Sequence, residues 1–135
     1  MGQVMNELIN LFHKFDKYKN QSSKQLEKHL QPSIKLNQYK KFYDKNELIG
    51  FVNWAYIHNL VENRFKETGK IKHSEWQSGN NLWLIDILSI KNTFVMMRWV
   101  YNHFKKQLDV NNSINWLRVD GEVYRIGQKF KRDFH

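Results

Sequence analysis

Apolar positions recur along residues 2–15 at Val4, Met5, Leu8, Ile9, Leu11, Phe12 and Phe15. That spacing, close to i, i+3, i+4, i+7, predicts an amphipathic helix. Lys14 to Lys24 is polar and rich in Lys, Asn, Gln and Ser, and reads as a loop. Ser22-Ser23 can then cap a helix over residues 24–36, with Leu26, Leu30, Ile34 and Leu36 on its inner side. Pro32, the only proline, predicts a break there, because its ring lacks an N–H and crowds the preceding turn. From Tyr39 the period falls to two. Tyr39–Tyr43, a turn at Asp44-Lys45-Asn46-Glu47 and then Leu48–Ile57 predict an antiparallel hairpin. Asn59 to Lys70 predicts a helix closed at Gly69.

A turn at Ser78-Gly79-Asn80, where Gly79 is the residue most free to take positive φ, leads into Leu82–Leu88. That run is apolar at every position except Asp86, the pattern of a strand covered on both faces. Next comes a helix capped by Asn92 and carrying Phe94, Val95, Met97, Val100, Tyr101 and Phe104, with Lys105-Lys106 at its basic end. Ile114–Val119 and Val123–Phe130 read as two strands about an Asp120-Gly121 turn, and the basic tail Lys129–His135 as frayed. The succession of helices and hairpins describes an α+β fold.

At 135 residues the chain is expected to form a single domain over 1–135, with five Trp, six Tyr and nine Phe to fill its core. It holds no Cys, which excludes disulfides, thiolate zinc sites and a cysteine nucleophile, and suits a reducing compartment. No apolar run approaches the roughly 18 residues of a membrane span, and no secretory leader pattern opens the chain, so a cytoplasmic location is expected. The net charge of +9 calls for an acidic partner, whether nucleic acid, an anionic membrane surface or an acidic protein. Lys outnumbers Arg, which suits general attraction better than bidentate reading of bases.

Asp86 is the anomaly. An unpaired buried carboxylate is costly, so this one needs a partner, a raised pKa or a place at the mouth of a cleft. A turn or strand-end hydrogen bond is the plain alternative. The His residues at 13, 29, 58, 73, 103 and 135 are scattered and form no His-x3-His pair, so no metal is expected. His13 and His29 each read as a solvated or capping histidine. A Walker loop, a dinucleotide fingerprint and a Gly-x-Ser-x-Gly elbow are all absent.

Four blocks in order carry a resemblance: Pro32-Ser33-Ile34-Lys35-Leu36-Asn37-Gln38-Tyr39, Phe51-Val52-Asn53-Trp54-Ala55, Glu75-Trp76-x-Ser78-Gly79-x-x-x-Trp83-x-Ile85-Asp86, and Leu117-Arg118-Val119-Asp120. Together they resemble the RTX toxin-activating lysine acyltransferases of the hemolysin-activating type, over residues 2–128. The resemblance implies a GNAT-like mixed, mostly antiparallel sheet flanked by helices. It implies transfer of a fatty acyl group from acyl-carrier protein to an internal lysine of a protoxin-like protein. The carrier's thioester is then the donor, and no cofactor is bound.

The family's catalytic pair is a His near the N-terminus and an Asp in the central strand. Asp86 falls on the Asp position. His13 fits the His position, because Phe12-His13-Lys14 resembles a Leu-His-Arg step after the first helix, with extra residues before Pro32. An alignment without that insertion puts Tyr18-Lys19-Asn20 there instead. Asn37 and Arg118 are the polar groups expected to support substrate binding, and a homodimer is an assembly the resemblance admits. An imidazole suits removal of a proton from an attacking lysine, and a carboxylate beside it fixes the tautomer. Two other readings stay open: a non-catalytic module of the same fold keeping Trp54, Trp76 and Trp83 as core anchors, and a nucleic-acid binder supported by charge alone.

Overall fold

The computed structural model describes residues 2–120 and 123–134. Helix α1 (Gly2–Phe12) buries Met5, Leu8, Ile9, Leu11 and Phe12, and a series of tight turns then leads to α2 (Ser23–Lys35). Ser22 caps α2 through its side chain on the Gln25 N–H, and the Gln25 side chain returns the bond to the Ser22 N–H. This is a capping box.

The break expected at Pro32 does not occur, and α2 runs through it. The missing donor would have served the carbonyl of Lys28, an exposed residue. Burial of Leu26, Leu30 and Ser33 on the same helix outweighs the local cost. Beyond its C-cap Leu36 the helix is closed by Asn37, with φ of 55°. Its N–H reaches the Ile34 carbonyl while the Gln38 N–H reaches that of Ser33, a Schellman closure.

The five strands form one sheet in the order β1 (Tyr39–Asp44), β2 (Glu47–Ile57), β3 (Asn81–Ser89), β4 (Ser113–Asp120), β5 (Val123–Phe130). Neighbours are antiparallel except β3 and β4, which are parallel. The expected mixed, mostly antiparallel GNAT-like sheet is what forms. Helix α3 (Asn59–Thr68), closed by Gly69 in the left-handed conformation, follows β2, and α4 (Thr93–Phe104) joins β3 to β4. Among the described residues no helix is long and apolar enough to cross a membrane.

Helix α4 covers one face, where Val100 and Phe104 meet Val52, Trp54, Leu82, Leu84 and Ile114. The opposite face carries α1 and α2 over Phe51 and Leu88, and α3 over Ala55, Ile57, Trp76 and Trp83. Trp54, Trp76 and Trp83 are all core residues.

Gly79 does not use its freedom to take positive φ; among the described residues Gly69 is the glycine that does. A Cβ at Gly79 would lie 2.6 Å from the backbone of His58, so close approach to β2 is what requires glycine there. The Asp120-Gly121 turn involves Gly121, which lies outside the described residues, as does His135. The tail is more ordered than expected: Lys131–Asp133 form a 3-10 turn, and the Phe134 ring sits 5.1 Å from that of Tyr101.

One irregularity positions the functional region. Asn53 pairs with Asp86 but Trp54 pairs with Leu84, so Ile85 is an extra residue on β3. Before it, Leu82 and Leu84 face α4; after it, Ile87 does. The bulge therefore reverses the alternation and turns Ile85 and Asp86 together toward α1, α2 and α3. Pairing of β3 with β4 holds at Trp83–Asn115 and Leu84–Trp116 and goes no further.

Close packing on β5 gives a test. A Cβ at Gly127 would lie 2.1 Å from Nε1 of Trp116. Gly127→Ala is expected to lower stability by about 1–3 kcal/mol through overpacking. Gly2→Ala, with nothing within 4 Å, should leave it unchanged. Urea denaturation of the two variants beside the parent checks this.

Candidate active site

The loop between α1 and α2 is a run of turns in which the Tyr18 and Lys19 N–H groups bond the Phe15 carbonyl and the Gln21 N–H bonds that of Tyr18. It buries Tyr18 within a polar segment, the ring lying 4.9 Å from that of Phe12 and 5.6 Å from that of His29. His13 closes the same loop, with Nε2 donating to the Gln21 carbonyl at 2.8 Å. On α2, His29 stands on the buried stripe between Leu26 and Ser33, which brings its imidazole under β3.

These elements meet at Asp86, only 3% exposed. Its Oδ1 accepts the Tyr18 hydroxyl. Its Oδ2 accepts His29 Nε2 at 2.8 Å and Asn53 Nδ2 at 3.0 Å. Asn53 also accepts the Asp86 N–H on its Oδ1 at 2.7 Å and donates to Ser33 Oγ at 3.1 Å. Ser33 Oγ in turn donates to the Leu30 carbonyl. Every polar atom of this buried group is thereby engaged, as a charge in the interior requires.

Burial works to raise the Asp86 pKa, but the charge and hydrogen bond of His29, with the bonds from Tyr18 and Asn53, overcome it and hold the carboxyl below its ordinary value. For His29, burial pulls the pKa down. The Asp86 charge and hydrogen bond outweigh it against a smaller opposing push from Lys17, and the net direction is upward. Burial, then the neighbouring carboxylate, drive the Tyr18 phenol far up, so it remains a donor throughout the neutral range.

A cleft of about 720 Å³ opens beside the pair. Its walls include Phe65, Ile85 and Leu117, with Lys17 and Lys70 at the rim and His29, Tyr18 and Asp86 inside. The His29 side chain is 32% exposed, against 1% for Asp86. A neutral imidazole that donates from Nε2 to a carboxylate keeps Nδ1 as its basic nitrogen. The arrangement can therefore take a proton from a group in the cleft. Among the described residues, no three His, Cys, Asp or Glu side chains converge to hold a metal ion.

A sequence model of the RTX toxin acyltransferase family matches residues 1–129. The chain belongs to that family. Among its relatives is the RTX-II toxin-activating lysine-acyltransferase ApxIIC of Actinobacillus pleuropneumoniae, 25% identical over 114 residues covering 82% of this chain and 69% of that protein. The leukotoxin-activating lysine-acyltransferase LktC of a Pasteurella haemolytica-like species is 26% identical over 75% of this chain and 54% of its own length. An uncharacterized Synechocystis protein, sll0720, is 28% identical over 73% of this chain and 67% of its own.

Of the residues singled out for this RTX acyltransferase-family chain, Asp86 stands at the cleft and the other three lie away from it. The imidazole on Asp86 is that of His29, while His13 bonds the Gln21 carbonyl of its own loop. Asn37 is exposed and closes α2. Arg118 is exposed and follows Leu117, so strand alternation puts it on the α4 side of the sheet, across from Asp86. His29 was legible as a histidine on the Leu26–Leu30–Ser33 stripe, and Tyr18 as an aromatic flanked by lysines in a polar loop.

The linked titration is measurable. Asp86 holds the His29 pKa above its ordinary value of about 6.5. In Asp86→Asn the influences that remain, burial and Lys17, both act downward. The His29 ring resonances should therefore titrate above about 6.5 in the parent and below it in the variant. NMR pH titration reads both. The sign carries to stability: the share of His29 is full below about 6.5 and is lost as pH rises through the raised value. The gap in urea midpoint between the parent and His29→Gln should be wider at mildly acidic than at alkaline pH.

Proposed function

We propose that the chain is an acyltransferase that moves a fatty acyl group from the thioester of acyl-carrier protein to a lysine amine of a protein, with His29 as general base and Asp86 as its orienting partner. The observation that carries this reading is the His29–Asp86 pair, both of whose members line a cleft that has an apolar wall. A lysine ammonium must lose a proton before its nitrogen can attack the thioester carbonyl, and His29 is suited to accept it. The amide C–N bond then forms as the C–S bond breaks. The carrier's thiolate leaves and takes up the second proton that the attacking nitrogen sheds as the amide forms, and Asp86 stabilises the imidazolium meanwhile. Phe65, Ile85 and Leu117 offer an acyl chain an apolar surface. The basic surface suits an acidic carrier.

The sheet supports an entry route for the donor. Beyond Leu84 and Trp116, β3 and β4 no longer pair, and a slot opens between their inner edges beside Asp86. Main-chain groups along such edges can hydrogen-bond the amides of a pantetheine arm, in the manner of strand addition. The relatives named for lysine acylation of toxins suggest a protein acceptor, and a cytoplasmic setting where acyl-carrier protein is at hand fits the same reading.

Transfer from fatty-acylated acyl-carrier protein to a lysine-bearing protein, read by intact mass, tests it. His29→Ala and Asp86→Ala are each expected to lower the rate by about 10²–10⁴-fold, the range for loss of a positioned proton acceptor. His13→Ala should transfer at close to the parental rate. The rate should fall on acidification through the raised His29 pKa, since only the neutral imidazole accepts a proton. Full activity in His29→Ala, or its loss in His13→Ala with the fold intact, would overturn the assignment.

A further inference from the structure

The outward side of α4 combines exposed apolar and cationic side chains. Lys91, Phe94, Val95, Arg98, Asn102 and Lys105 are all exposed and follow one another at helical spacing, so they form a single stripe. Phe94 is 72% and Val95 59% exposed, and Ile90 adds an exposed apolar side chain just before the helix. The Arg98 guanidinium lies over the Phe94 ring at 4.7 Å. From Ile87 to Leu108 the chain carries Lys91, Arg98, Lys105 and Lys106 and no Asp or Glu. Lys91 is satisfied by Asp44 at 2.8 Å. The others give the stripe its positive field.

The place of this stripe matters as much as its chemistry. Helix α4 covers the sheet face opposite the cleft, and it starts where β3 ends, at the open end of the slot between β3 and β4. Ile90 is four strand residues from Asp86, about 13 Å at 3.3 Å per residue, a span that an extended flexible arm can bridge. Partners using the slot and the cleft would then approach from opposite faces without competing for one opening.

Resting on the acyltransferase reading, we infer that the exposed stripe of α4, centred on Phe94, Val95 and Arg98, is the docking surface for the carrier that bears the acyl group. The occupant is an acidic protein presenting a carboxylate-rich helix with a few apolar side chains, and its arm enters the slot from the α4 side. Phe94 and Val95 supply the desolvated centre of the contact, and Arg98, Lys105 and Lys106 its cationic rim. The acceptor protein uses the cleft on the other face, between the α1–α2 loop and α3.

The test compares two donors in Phe94→Glu/Arg98→Glu, whose changes fall on exposed side chains outside the catalytic pair. With fatty-acylated acyl-carrier protein, the double variant should raise KM at least tenfold, and added salt should raise the parental KM toward that of the variant. With an acyl-pantetheine thioester, which has the arm but no carrier, parent and variant should be equal. Unchanged KM for the carrier, or an equal fall with both donors, overturns the docking surface. So does loss of binding to phosphatidylglycerol vesicles with carrier kinetics intact, which would make the stripe a membrane contact. If the parent transfers from neither donor, the acyltransferase reading fails by itself. Binding of the unacylated carrier then decides the surface: a Kd weakened tenfold in the variant supports it, and equal or absent binding overturns it.

Discussion

A charged carboxylate inside the sheet is the constraint on which this structure depends. Burying Asp86 unpaired would cost several kcal/mol. The chain meets that cost with Tyr18 from the α1–α2 loop, His29 from α2 and Asn53 from β2. Three segments far apart in sequence are thus pinned to one residue of β3. Asn53 reaches on to Ser33, so α2 is tied to the sheet at both His29 and Ser33. Removing any one partner leaves the others holding unmatched polar groups, which is costlier than never having placed them. The network gives the first two helices a defined seat, where apolar contacts alone would tolerate sliding.

The extra residue at Ile85 makes this possible. In a regular strand Asp86 would share the face of Leu82 and Leu84 and be pressed against α4 with no polar partner. The bulge turns it to the other face. It also falls where the β3–β4 ladder stops, so the same insertion that aims the carboxylate coincides with the slot beside it. A bulge bends its strand and disrupts local pairing as a matter of geometry, and both effects serve the site here. The cleft, the slot and the acid-free stripe of α4 are therefore consequences of one local irregularity and of the helix that follows it.

Much of this was legible in the sequence, and the reasons for the rest are physical. The period-two and helical patterns placed the elements, and Asp86 stood out because a charge in an apolar run is expensive wherever the strand sits. The bulge was not legible, since Leu82–Leu88 is apolar on both sides of the alternation and hides a change of phase. Pro32 does not break its helix because its penalty is local, whereas the burial of Leu26, Leu30 and Ser33 that outweighs it depends on the tertiary fold. His29 lies 57 residues from Asp86, and only the crossing of α2 over β3 brings them together. His13 has the better local resemblance, but nothing local shows that the loop turns back far enough for Gln21 to engage it. Asn37 and Arg118 sit in family-like blocks for structural reasons, one at a helix end and one on the far face of a strand.

Two rings converge on Asp86, and their chemistry separates them. The alignment that allows no insertion puts Tyr18 at the family's histidine position, and Tyr18 does touch the aspartate. Yet its phenol, buried beside a carboxylate, is driven away from ionisation and stays protonated as a donor to Asp86. His29 shares the same carboxylate, which raises its pKa, and an imidazole can both take and return a proton. It also comes from a capped helix rather than a loop, so its orientation is fixed by backbone as well as by the carboxylate. A site of this kind is defined by what can exchange a proton beside Asp86, and the position of that group along the chain is secondary. On that criterion the imidazole of α2 is the working partner, and the phenol of the loop holds the other oxygen in place.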